Sequence, residues 1–235
     1  MDPAGSGKGS RMTTTSLCET RRRPAGGDQK GTRLCPLSAE RVFRIAHLRE
    51  EILYHRVNWT LRKAVVIGRV DILKRNRELW KNVVPIRNLI DLASEHGNLA
   101  VVQWLHANRS EACTDNAMDW AARNGHLDMV QWLHVHRSEG CTQWAMNYAA
   151  QNGHLDVVQW LHENRREGCT DDAMDWAAEN GHLEVVQWLH DHRSEGCTTN
   201  SMNWAAHNGH LEVVQWLHEH RSEGCTTLAM NWAAR

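Results

Sequence analysis

"NGHLEVVQWLH", residues 180–190, starts on a helix-stopping pair and ends on a histidine, and a cysteine follows at Cys197. Near-copies begin at Asn124, Asn152 and Asn208. Its glycine returns at Gly97, Gly125, Gly153, Gly181 and Gly209, "QWLH" at 103, 131, 159, 187 and 215, and "CT" at 113, 141, 169, 197 and 225. The period is 28 residues. A fixed period of this length is the signature of a solenoid, in which each unit buries its apolar flanks only against its neighbours.

One unit, residues 170–197, reads "TDDAMDWAAENGHLEVVQWLHDHRSEGC". Asp171 or Asp172 is placed to cap a short first helix, "AMDWAAEN", by accepting from its free N–H groups. Asn180-Gly181 ends that helix, because glycine enters the left-handed conformation a helix stop requires. A second helix, "LEVVQWLHDHR", follows at once, with Leu183, Val186 and Leu189 on one stripe and Val185 and Trp188 on its flanks. The predicted fold is all-α, a helix–turn–helix solenoid with short inter-repeat loops.

The stretch "AAENGHLEVVQWL" resembles the core motif of the ankyrin repeat, at Ala121–Leu133, Ala149–Leu161, Ala177–Leu189 and Ala205–Leu217, and more loosely at Leu92–Leu105. The flavour of the repeat is similar to short-repeat ankyrin proteins abundant in oomycetes and some large DNA viruses. Two features depart from the family. Its Thr-Pro-Leu-His helix start is replaced by "DAMD", "SMN" and relatives, which removes the Thr–His hydrogen-bond network. The period is also about five residues short of the usual ~33. The missing residues fall between helix pairs, where "RSEGCTT" replaces the projecting β-hairpin finger, so the concave surface is expected to be shallower.

Residues 58–85 read as a degenerate first repeat, with Gly68 standing 29 residues before Gly97 and with charged substitutions suited to an end cap. Residues 38–57 read as an amphipathic helix, an added cap. Residues 1–37 are rich in Gly, Ser, Arg and Thr and are expected to form a disordered basic tail. Residues 86–235 make five repeats plus a last one cut short at Arg235, read as a truncation.

Composition narrows the function. No apolar run approaches the ~20 residues of a membrane helix, and the N-terminus carries no signal-peptide core, so a cytoplasmic or nuclear protein is expected. The net charge of −1 conceals an asymmetry: residues 1–95 carry +9 and residues 96–235 carry −10. An acidic array disfavours nucleic acid, whose affinity comes mainly from Lys and Arg on phosphates. Twelve Trp against one Phe is unusual; ten of them lie beyond residue 100, and nine of these fall on two ladders, one per helix. Both ladders are read as inter-repeat core, because aromatics dominate packing area.

His182, His190, His192 and Cys197 are residue types that zinc prefers, but the spacing opposes a shared ion. His182 and His190 stand roughly 12 Å apart along a helix at 1.5 Å per residue, whereas ligands sit ~2.0–2.3 Å from the metal. The turn histidine is read as bonding nearby backbone. Copies of the cysteine one repeat apart exceed the ~7 Å limit for a disulfide, so Cys113, Cys141, Cys169, Cys197 and Cys225 are read as reduced small hydrophobes. No copy is singled out by a base or an oxyanion site. The expectation is a non-catalytic protein without metal or cofactor.

Function is then expected where repeats differ: Asp115-Asn116, Gln143-Trp144, Asp171-Asp172 and Thr199-Asn200 before the first helix; Asp119, Asn147, Asp175 and Asn203 on it; and Arg123, Gln151, Glu179 and His207 before the turn. The family resemblance implies that the loop and the positions after the two alanines face the concave groove. Trp144 stands outside both ladders, and Asp171, Asp172, Asp175 and Glu179 gather acid beside it, which points to a protein partner with a basic segment, bound by a monomer. The alternative is an adaptor whose N-terminal region couples a captured protein to ubiquitin ligase or other machinery, although residues 38–57 lack an F-box pattern. The metal-free reading predicts that excess zinc or a chelator leaves the melting temperature unmoved; a shift of many degrees in a calorimetric scan contradicts it.

Overall fold

A computed structural model describes residues 39–78, 88–108, 113–227 and 229. The expected tail 1–37, the end of the degenerate repeat and nearly all of the shortened last repeat lie outside the described residues. The chain divides into two units, 1–43 and 44–235. Only the opening residues of the first helix are described in the former, and the array belongs to the latter.

Among the described residues every element is helical. Helix α1 runs from Ala39–Val66 and α2 from Val70–Arg75. Among the described residues the array holds five pairs: α3 Leu89–Glu95 with α4 Leu99–Asn108, α5 Asn116–Arg123 with α6 Leu127–His136, α7 Gln143–Gln151 with α8 Leu155–Asn164, α9 Asp172–Glu179 with α10 Leu183–His192, and α11 Thr199–His207 with α12 Leu211–His220. One expectation needs correction. The boundary between a cap helix, 38–57, and a repeat beginning at residue 58 is not a break, because α1 continues through it without interruption. Nothing in "HRVNWTLRK" supplies a helix stop; the first glycine is Gly68.

The first helices α5, α7, α9 and α11 start at the threonine of "CT". Thr142 Oγ1 accepts from the Trp144 N–H at 3.1 Å and Thr198 Oγ1 from the Asn200 N–H at 3.0 Å, with Thr114 and Thr170 doing the same for Asn116 and Asp172. Neither aspartate before α9 serves as the side-chain cap: Asp171 occupies the cap position without a capping bond. Threonine wins because the loop delivers it in extended backbone, as at Thr142 and Thr198, where its hydroxyl faces the free N–H groups.

At the other end the glycine reverses the chain. Gly153 has φ +75°, its N–H donates to Ala150 O, and the His154 N–H returns to Ala149 O at 2.9 Å. Gly125, Gly181 and Gly209 repeat this, and Gly68 does so in the first unit, where the Arg69 N–H reaches Ala64 O at 2.9 Å. The glycine has a second task. A Cβ on Gly153 would lie 2.6 Å from the His182 ring of the next repeat, and Gly97, Gly125 and Gly181 stand in the same relation to His126, His154 and His210. The turn histidine therefore packs across the repeat boundary. His182 bonds the backbone of Gln151 in the preceding repeat, and burial holds its ring below the usual imidazole range. Where Asn98 replaces the histidine, its amide donates to Val65 O and Val66 O at 2.8 and 2.9 Å.

The core is one continuous column. The paired alanines, Ala121-Ala122, Ala149-Ala150 and Ala177-Ala178, are buried with the valines and leucine of each second helix, such as Val157, Val158 and Leu161. Burying each such Val or Leu stabilises by roughly 1.5–3 kcal/mol. Alanine pairs let the first helices lie close to one another, while the second helices, carrying Trp and His, contact each other more sparsely. The glycine's two tasks separate experimentally. Gly153→Ala is expected to cost about 2–4 kcal/mol, from left-handed backbone plus the clash with His182. Gly209→Ala, with nothing within 4 Å of its added Cβ, is expected to cost only about 1–2 kcal/mol. Urea unfolding of both variants checks the difference, and equal losses contradict the packing role.

Candidate partner-binding surface

Helices α5, α7, α9 and α11 present one face each, at positions spaced i, i+4 and i+7, which lie on one side of a helix. The rows are Asn116, Trp120, Arg123; Trp144, Tyr148, Gln151; Asp172, Trp176, Glu179; and Asn200, Trp204, His207. Every member is exposed or half-buried, whereas Ala117, Met118, Ala121 and their equivalents are buried. Stacking the helices in register turns the middle positions into an aromatic stripe flanked by two variable columns.

This placement corrects the reading of the first-helix aromatics as core. The second-helix tryptophans, Trp104, Trp132, Trp160, Trp188 and Trp216, do pack against the apolar column. Their rings are held by histidines, with His192 stacked on Trp188 at 4.5 Å and His162 of the preceding repeat set edge-on at 5.2 Å. Trp120, Tyr148, Trp176 and Trp204 are half-buried and lie on the other row. Trp144 adds a ring to them. Its centroid lies 5.4 Å from Tyr148 and 5.8 Å from Trp176, and those two are 5.9 Å apart, with interplanar angles of 10° to 22°. Aromatic rings at such separations favour this offset stacking. The Arg123 guanidinium lies over Tyr148 at 5.4 Å. Trp144 keeps 45% of its surface exposed.

The variable positions divide into two groups. Asp115, Asn116, Gln151, Asp172, Glu179 and Thr199 are half-buried on the first-helix side, and Arg123, Gln143, Trp144, Asp171, Asn200 and His207 are exposed. Asp119, Asn147, Asp175 and Asn203 do not belong with them: they are buried at 3%, 1%, 2% and 3% exposure. Asp119 accepts from the Thr142 N–H at 2.8 Å and from its hydroxyl at 2.6 Å. Asn147 accepts from the Thr170 N–H and donates its amide to Thr170 Oγ1 at 2.8 Å. Asp175 and Asn203 hold Thr198 and Thr226 in the same way, and Asp91 holds Thr114. The expected groove contacts at these four positions are replaced by clamps between repeats. Acid and amide alternate because either oxygen accepts the threonine N–H. The sequence carried one clue, since the Asp or Asn directly follows a buried Met on the helix.

Sequence reasoning also missed a ladder along the inter-repeat loops. Arg165 pairs with Glu167 and lies where Gly140 of the preceding repeat has no Cβ, which would stand 2.7 Å from its Nη2. Its Nη1 approaches His134 Nδ1 at 3.4 Å. Arg137, Arg193 and Arg221 pair with Glu139, Glu195 and Glu223 in the same manner. The recurrent "R-x-E-G-C" was the available signal. The cysteines sit beneath this ladder as free thiols. Burial pushes Cys113 and Cys169 up to about 11 and Cys141 up to about 12, so they stay protonated and weakly nucleophilic at neutral pH. Among the described residues no three His, Cys, Asp or Glu side chains converge as a metal would require, and no helix is long and apolar enough to cross a membrane.

Comparison with protein families bears on this geometry directly. Residues 89–172 match a family model described as ankyrin repeats (3 copies), and residues 174–218 match one described as ankyrin repeats (many copies). Together they span more than half of the chain. The chain belongs to the ankyrin-repeat family. A search of curated proteins finds no match. In this ankyrin array the residue standing where the family's helix start carries histidine is the clamping Asp or Asn, as in "DAMD" ending on Asp175. The network is therefore rebuilt as Asp/Asn to the threonine of the next repeat. Ankyrin repeats are typically non-catalytic modules of protein–protein interaction.

Burial raises the Asp119 carboxyl above the usual carboxylate range, so its folded form holds a proton more readily than its unfolded form. Its contribution to stability is present at low pH and declines as pH rises from about 4, the unfolded value. Asp119→Asn, copying Asn147, is expected to fold and to gain on the wild type as pH is raised from 4 to 7. Asp119→Ala leaves the Thr142 N–H without its acceptor and is expected to lose about 1–3 kcal/mol. Denaturant midpoints across that pH range test both.

Proposed function

We propose that this chain is a non-catalytic protein-binding module that takes a segment of another protein along the row of first helices, centred on Trp144. The observation carrying this reading is the near-parallel set of Trp144, Tyr148 and Trp176 on that face, with Trp144 45% exposed. Tryptophan in a rigid, half-open setting is enriched among interface residues that dominate affinity. The first helices are the more closely packed row, and a stack with unequal spacing tends to curve toward its closer row, which supports reading this face as the concave one. The clamps and turns beneath it are the same in every repeat, so the face varies without disturbing the stack. Asp115, Asn116, Arg123, Gln143, Gln151, Asp171, Asp172, Glu179, Thr199, Asn200 and His207 form the variable surround. Among the described residues, free cysteines recurring in every repeat, three of them buried, suit a reducing compartment, the cytoplasm or nucleus.

The test is to capture partners on the full chain and measure affinity for one of them with wild type and Trp144→Ala. The substitution is expected to weaken binding by about 2 kcal/mol or more while circular dichroism stays unchanged. Unchanged affinity places the site elsewhere.

A further inference from the structure

We propose that the exposed part of Trp144 receives an arginine side chain of the partner, laid against its indole and paired with Asp172. The inference rests on the reading of the first-helix face as the binding surface and adds the chemistry of what it binds.

Three observations converge. The first is shape. Trp144, Tyr148 and Trp176 form an offset stack within 22° of parallel, and Trp144 keeps 45% of its surface exposed, so the stack offers a flat aromatic ring to a partner rather than a pocket for a branched apolar side chain. The second is an internal precedent. Arg123 already places its guanidinium over Tyr148 at 5.4 Å, so a ring of this same stack already takes an arginine. The third is charge. Asp172 stands in the same column as Trp144, one repeat on, Glu179 shares the exposed face of α9 with Trp176, and Asp171 is exposed in the loop before it. Among the described residues none of these three carboxylates is in an ion pair. The Asp172 carboxylate accepts one hydrogen bond, from Thr170 Oγ1 at 3.0 Å, which leaves it acceptor capacity.

Arginine fits this combination better than lysine. Its guanidinium is planar, less strongly hydrated than an ammonium, stacks on indole rings and presents paired N–H donors to a carboxylate. Cation–π attraction is strongest over tryptophan. An ammonium would gain from the acids but not from the flatness of the ring set. A phosphate-bearing ligand is disfavoured by the same carboxylates.

The experiment uses the full chain and three synthetic peptides of equal length, in which four Arg, four Lys or four Glu residues alternate with Gly and Ser, titrated calorimetrically near physiological salt. The Arg peptide is expected to bind, the Lys peptide at least about tenfold more weakly, in line with the cation–π preference, and the Glu peptide not at all. Trp144→Ala and Asp172→Asn should each weaken the Arg peptide by about fivefold or more, Trp144→Phe should retain most of the affinity, and Val135→Ser, an exposed change on the second-helix row, should leave it unaltered. Equal affinity for Arg and Lys peptides, indifference to Trp144→Ala, or no binding of the Arg peptide overturns the proposal. A captured natural partner that requires Trp144 yet is not displaced by the Arg peptide refutes the arginine chemistry and leaves the binding face standing. A partner indifferent to Trp144 refutes the face itself.

Discussion

The array depends on a missing side chain. At Gly97, Gly125, Gly153 and Gly181 the glycine lacks the Cβ that would meet the histidine ring of the following repeat. Two further contacts recur between repeats: the buried Asp or Asn that holds the next threonine, and, at Gly140, Gly168 and Gly196, the following loop's arginine lying where the glycine has no Cβ. They sit at the turn, the middle and the loop end of each unit. With all three satisfied, neighbouring repeats have one relative placement, and the 28-residue period follows because each contact must recur at its own height.

That division of labour explains the pattern of sameness and variation along the chain. Residues facing a neighbouring copy must match an identical partner, so Gly, His, Thr, the alanine pair and Arg-x-Glu recur. Residues on the outward side of the first helices meet no such requirement. The aromatic stripe is intermediate, since its rings touch one another across repeats and still face outward. Trp144 widens the stripe at one place, and a recognition surface built this way is changed by substitution without loosening the stack. Cys113, Cys141 and Cys169 follow the opposite logic: they are reactive by type but buried beside the Arg–Glu ladder, where desolvation keeps them protonated.

Much of the fold was legible in the sequence. The period, the two helices of each unit and the Asn-Gly stop appear as read, while in the second helix Val185 joins Val186 and Leu189 in the core and Leu183 is half-buried. Aspartate before the first helix looked like its cap, but the loop geometry offers threonine instead. Asp119, Asn147, Asp175 and Asn203 looked like groove positions because they are polar and variable, whereas polarity at a buried site is stable once its oxygens are bonded. The first-helix aromatics looked like core because they recur. For the clamps the deciding neighbour lies in the next repeat, 23 residues away along the chain, whereas for the cap it is the threonine two residues before. For the candidate surface, the sequence singled out Trp144 as the unmatched aromatic but could not show that Tyr148 and Trp176 stack beside it.

Local interactions are written in the chain itself: where a helix stops depends on glycine's backbone freedom and which side of it is apolar depends on spacing, so period and helix pairing needed only the sequence. Which polar groups disappear into the boundary between repeats, which rings face outward and which way the turn histidine points depend on atoms supplied by a different copy. Those distances are set by how closely alanine-paired helices approach, a quantity that no single unit contains.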